Sequence, residues 1–184
     1  HFSRSTDTPV ISLSLEKSVL LRGETIGLGV VGGMPPYTFH KEAKALYPGT
    51  QSEYLGAFGD SNFTAGGAIG TITLSVADSA GNTARSDVTV VPPQPSNVGI
   101  VYEAVSPKRI VLSWDFAETA IISNFLVRYT TDHVTYTDMP PLAPDGVECI
   151  YSSPPVNKTY YFSLYAVSGA FSSAPVERII FVSP

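Results

Sequence analysis

Val91-Pro92-Pro93-Gln94-Pro95-Ser96 cuts this sequence of 184 residues near its middle. Each proline lacks the N–H that a sheet ladder requires, and several together hold the chain in a stiff, extended connection. No sheet can run through such a segment. It predicts a boundary between two domains, residues 1–93 and residues 94–184, each within the usual domain size.

On either side of that boundary the apolar residues alternate. Upstream, Val10-Ile11-Ser12-Leu13-Ser14-Leu15, Ile26-Gly27-Leu28-Gly29-Val30, Tyr37-Thr38-Phe39, Ile72-Thr73-Leu74-Ser75-Val76 and Val88-Thr89-Val90 repeat with period two. Downstream, Ile110-Val111-Leu112-Ser113-Trp114, Phe125-Leu126-Val127-Arg128-Tyr129, Val147-Glu148-Cys149-Ile150-Tyr151, Tyr160 to Val167 and Val176 to Val182 do the same. Period two buries one face of a strand and wets the other, which is how a sandwich strand reads. Fifteen glycines and fifteen prolines keep these runs short and argue against long helices. The predicted fold class is all-β, with two tandem antiparallel β-sandwich domains. Asp78-Ser79-Ala80-Gly81-Asn82 carries the residues of a hairpin turn. Residues 41–70 are the least patterned: short irregular strands fit them, and one helical turn fits Glu42 to Tyr47. A second helical turn is expected near Ala117 to Ala120. Ile121, Ile122, Phe125, Leu126 and Tyr129 also fit a helical stripe, but the strands around them decide for a strand.

The second half resembles fibronectin type III modules. Three anchors carry the resemblance: Ile110-Leu112-Trp114, Phe125-Val127-Tyr129 and Tyr160-Phe162-Leu164-Ala166. It covers about residues 95–184 and departs from the family pattern at Pro154, Val156 and Lys158, just before Tyr160. The resemblance implies a tyrosine corner, with the Tyr160 hydroxyl bonded to upstream backbone. The first half is similar to the immunoglobulin-like and PKD-like repeats of bacterial surface proteins, through Gly32-Gly33-Met34-Pro35-Pro36-Tyr37-Thr38-Phe39 and Val76 to Asn82. The aromatic-rich acidic signature of PKD repeats is missing from it.

Composition removes several function classes. The formal net charge is −5, only eleven residues are Lys or Arg, and they form no run. A phosphate-backbone partner needs a basic stripe, so no nucleic acid is expected. Cys149 is the single cysteine, which leaves no internal disulfide and no cysteine-based zinc site. The lack of disulfides in an exported chain leans toward a bacterial or phage source. No stretch approaches the roughly 20 apolar residues of a membrane span, and His1-Phe2-Ser3-Arg4 opens no signal-peptide core.

Candidate chemistry is sparse. Gly27-Leu28-Gly29-Val30-Val31-Gly32 spells a dinucleotide fingerprint, but Pro35 and Pro36 prevent the helix that would hold the pyrophosphate. Nucleophilic catalysis needs a base beside the nucleophile. The three histidines, His1, His40 and His133, are scattered, and Cys149 sits at an inward position of its strand. Asp60, Asp78, Asp87, Glu103, Asp115 and Glu118 form no local carboxylate pair for glycoside chemistry. Asp60 and Asp78 are candidate calcium ligands only if a loop cluster gathers further oxygens. No cofactor is implied, and the chain is not expected to be an enzyme.

The most suggestive pattern lies in the second half. If Tyr160, Phe162, Leu164 and Ala166 point inward, Tyr161 and Tyr165 point outward. By the same parity Leu126 and Arg128 face outward from the strand before. In the resembled fold these strands are neighbours, so Leu126, Arg128, Tyr161 and Tyr165 share one exposed face. Tyr and Arg bury much area at little entropic cost and carry binding hot spots. Sheet stabilisation by cross-strand pairs, or packing against the neighbouring domain, are the structural alternatives. The expectation is an extracellular or cell-surface binding or adhesion module for a protein or glycan ligand, belonging with other domains to a longer chain. A passive spacer, or a glycan-binding accessory module of a polysaccharide-degrading enzyme or phage tail, is the alternative.

Overall fold

The computed structural model describes residues 10–48 and 54–184. Its strands assemble into two compact units, His1–Val91 and Pro92–Pro184. Residues 91–95 belong to no strand, as three missing N–H groups require. His1 and the segment His1 to Arg4 lie outside the described residues.

The first unit holds β1 (Ser12–Leu15), β2 (Val19–Leu20), β3 (Thr25–Val31), β4 (Thr38–Leu46), β5 (Gly56–Phe58), β6 (Asn62–Ala65), β7 (Gly70–Ala77) and β8 (Thr83–Val90). One sheet runs β1-β3-β6-β5 and the other β2-β8-β7-β4. Between them, Ile72, Leu74 and Val76 of β7 and Val88 and Val90 of β8 are fully buried, together with Ile26 of β3 and Phe63 of β6. All of them occupy the inward parity of alternating runs. The pairs are antiparallel except β2 with β8, where Val19 and Leu20 run parallel to Thr89 and Val90.

Of the two readings of residues 41–70 the strands form, and the helical turn at Glu42 to Tyr47 does not. This stretch continues β4, a nine-residue strand paired along β7. Glu-Ala-Lys-Ala-Leu has good helix propensity, yet an isolated turn leaves most of its backbone groups unpaired, and the ladder to β7 pairs them. The register slips between Ala43 and Ala45, so Lys44 is the extra residue of a bulge. Just beyond it, Gly70 pairs with Leu46 at φ +142°, and a Cβ there would stand 2.2 Å from the Ala45 carbonyl oxygen. Glycine is required at that position. The bulge and the exposed Lys41 and Lys44 suit an outer strand, where charge discourages pairing with another chain.

The second unit holds β9 (Ser96–Glu103), β10 (Arg109–Asp115), β11 (Asn124–Thr130), β12 (Thr137–Asp138), β13 (Glu148–Ser152), β14 (Lys158–Ser168), β15 (Phe171–Ser172) and β16 (Val176–Val182). A 3-10 turn at Thr119–Ile121 stands close to where the second helical turn was expected, and β11 follows as a strand. One sheet is β13-β10-β9. The other runs β12-β11-β14, with β15 and β16 sharing the far edge of β14.

The core lies between these sheets. Ile110, Leu112 and Trp114 of β10 meet Phe125 and Val127 of β11 and Tyr160, Phe162, Leu164 and Ala166 of β14. Trp114 packs edge-on to Phe125 with ring centroids 5.2 Å apart, a favoured quadrupole geometry. The Tyr160 hydroxyl donates to the Pro155 carbonyl at 3.1 Å, which is the expected tyrosine corner.

Candidate functional site

The outer face of the β12-β11-β14-β16 sheet is set by register. Leu126 stands opposite Tyr165, Arg128 opposite Ser163, and Thr130 opposite Tyr161. Since Phe125, Val127, Phe162 and Leu164 are buried on the inner face, their neighbours must face out. All four sequence-predicted residues, Leu126, Arg128, Tyr161 and Tyr165, are therefore together on one side of the sheet, half-buried among their neighbours.

Arg128 organises one end of this face. Its Nε donates to Asp138 at 3.0 Å and its second terminal nitrogen donates to the other carboxylate oxygen at 3.4 Å. The same guanidinium lies 5.9 Å from the ring centroids of both Tyr136 and Tyr165. A planar cation can serve a carboxylate at its edge and aromatic rings at its faces, and lysine cannot do both. The charge is thus neutralised locally, while its position fixes two tyrosines.

At the other end, the loop after β11 folds back over Tyr161. Thr130 Oγ1 accepts from the backbone N–H groups of Asp132 and His133, and donates to Asp132 Oδ1 at 2.9 Å. That same oxygen accepts from the N–H groups of Val134 and Thr135 at 2.9 and 2.8 Å. These donors hold the Asp132 carboxyl down at about 2, the backbone N–H of Thr135 contributing most. The loop so fixed sets His133, at φ +59°, against Tyr161, with ring centroids 3.9 Å apart.

Thr130, His133, Tyr136 and Tyr161 on one side and Glu177 and Ile179 on the other line a notch of about 130 Å³. Small-molecule pockets usually enclose about 300–1,000 Å³, so this is a recess in a flat face rather than a substrate cavity. β16 completes the surface. Ile179 and Phe181 project outward and are 63% and 58% exposed.

Tyr136, Ile179 and Phe181 were not singled out from the sequence, and His133 was weighed there only as a base. His133 and Tyr136 sit in a loop, where parity says nothing. In β16 both alternating sets contain large apolar residues, Val176 and Ile180 on one side and Ile179 and Phe181 on the other, so alternation could not assign the faces.

The remaining sequence candidates have structural roles. Cys149 is buried and its thiol is pushed up by burial, the opposite of an activated nucleophile. Asp78 accepts from the Asn82 side-chain amide and from the N–H groups of Met34, Ala80 and Asn82, which hold its carboxyl below the usual range. Its oxygens are spent on the β7–β8 turn, and Asp60 lies in the separate exposed turn between β5 and β6. Among the described residues no three His, Cys, Asp or Glu side chains gather as a metal site would need. The Gly27–Gly32 fingerprint lies largely within β3 and opens no helix.

No family model matches the chain, and no curated protein does. Among solved structures, a two fibronectin type III domain segment from chicken tenascin matches 96% of this chain and 100% of its own, with TM-score 0.55 and 14% identity. The fn3 domain of human collagen α-1(XX) chain matches 50% of this chain and 87% of its own, with TM-score 0.43 and 14% identity. The likeness to the tenascin segment shows the fold: tandem fibronectin type III-like β-sandwiches. It lends no support to an immunoglobulin-like or PKD-like identity for the first unit. No helix of the described residues is long and apolar enough to cross a membrane.

Proposed function

We propose that this chain is a non-catalytic, extracytoplasmic binding or adhesion module of a longer protein, and that it meets a protein ligand on the outer β12-β11-β14-β16 face. The observation that carries this reading is the composition of that face. Tyr136 and Tyr165 flank Arg128, Tyr161 occupies the outward position of β14 opposite Thr130, and the large apolar side chains Ile179 and Phe181 are left mostly exposed on the same face. Tyrosine and arginine anchor interfaces because they bury large area with few rotors, and an aliphatic rim completes such a patch. Tyr136 and Tyr165 already share the Arg128 guanidinium, and Tyr161 holds His133. Sugar stacking requires an open ring face, so this arrangement favours a protein ligand over a glycan.

The test is a screen of the purified chain against immobilised extracellular-matrix proteins and a glycan array, beside a Tyr161→Ala/Tyr165→Ala variant. Protein binding that is lost in the folded variant supports the proposal. Glycan-only binding replaces it with the accessory-module reading. Binding that survives the double substitution moves the site elsewhere. If neither protein binds, the passive spacer takes precedence.

A further inference from the structure

We propose that the notch between the loop after β11 and strand β16 receives a single cationic side chain, lysine or arginine, from the partner protein. This rests on the reading of the sheet face as a binding surface and specifies what is bound there. His133, Tyr136, Tyr161 and Ile179 line it together with Glu177 and Arg178, and the Arg178 guanidinium is engaged by the Val98 and Glu177 backbone carbonyls.

Size, charge and the lack of an internal partner converge on this ligand. An apolar cavity of about 150 Å³ accepts one benzene ring, so a recess of about 130 Å³ takes one side chain and nothing larger. Glu177 is on the same rung as Arg128, with Ser163 between them. Arg128 is engaged by both carboxylate oxygens of Asp138. Among the described residues the Glu177 carboxylate has neither an ion-pair nor a hydrogen-bond partner. The unit from Pro92 onward carries eight Asp and Glu against five Lys and Arg, so its field also favours a cation.

An apolar side chain entering the notch would strip water from Glu177 and return nothing to it, and an anion would be repelled. A lysine or arginine lays its methylene stem along Ile179 and the ring edges and carries its charge to the carboxylate. The contact is partly solvated, so it is one anchor within a larger interface and is weak by itself.

The test uses the whole chain, labelled with nitrogen-15 and titrated with N-acetyl-arginine amide, N-acetyl-lysine amide and the neutral isostere N-acetyl-citrulline amide. The expected result is saturable shifts at His133, Tyr161 and Ile179 with the two cations, weakened about two- to fivefold in Glu177→Gln. Citrulline amide should bind more weakly than arginine amide by at least the same factor. Equal shifts from citrulline, equal binding by Glu177→Gln, or no shift at these residues overturns the inference. Those outcomes leave the matrix-protein screen and its Tyr161/Tyr165 variant to decide separately whether the face binds at all.

Discussion

The imidazole of His133 rests against the ring of Tyr161 with centroids 3.9 Å apart, joining a loop residue to a strand residue. The contact exists because the Thr130–Asp132 hydrogen bonds close the loop toward the sheet. The outer face of this sheet therefore depends on a turn as well as on strand parity.

Asp132→Ala is expected to loosen that turn. The folded-state carboxyl is depressed from 3.8 to about 2, so the group contributes stability above the unfolded value, and this is lost as pH falls from 3.8 through about 2. The wild-type protein should resist urea better than Asp132→Ala at pH 6. The gap should narrow steadily below pH 4. A gap independent of pH would sink this account. At neutral pH the His133 and Tyr161 ring resonances should also shift in the variant.

Tyr160→Phe removes the bond from the hydroxyl to the Pro155 carbonyl and leaves the buried ring in place. A single neutral hydrogen bond contributes about 1 kcal/mol net, and the abandoned carbonyl adds to the loss. Urea unfolding followed by fluorescence of Trp114, the only tryptophan, should shift to a lower midpoint that corresponds to that loss of free energy. An unchanged midpoint would show that the corner contributes nothing to stability.

Gly70→Ala places a methyl group within 2.2 Å of the Ala45 carbonyl oxygen at a φ of +142°. Strain of this kind costs about 1–3 kcal/mol, and the β4 bulge must open to relieve it. Backbone circular dichroism should report earlier unfolding. Amide exchange should quicken first in Ala43 to Leu46. Full tolerance of alanine would mean that the bulge register can move freely.

The sequence by itself determined the all-β class, the strand-free proline segment, the inward residues of most strands and the outward parity of Leu126, Arg128, Tyr161 and Tyr165. Those properties follow from period-two alternation and from the missing N–H of proline, which are local. It also pointed to the tyrosine corner, because a motif of a few residues carries that contact. The course of Glu42 to Tyr47 depended on a ladder to β7 some thirty residues away in the chain, which propensity cannot register. The outward side of β16 was decided by pairing with β14, since both of its faces are apolar in sequence. The approach of His133 and Tyr136 to the sheet came from loop hydrogen bonds and a cation shared between rings. Only tertiary structure decides such contacts, because their partners have no fixed spacing along the chain.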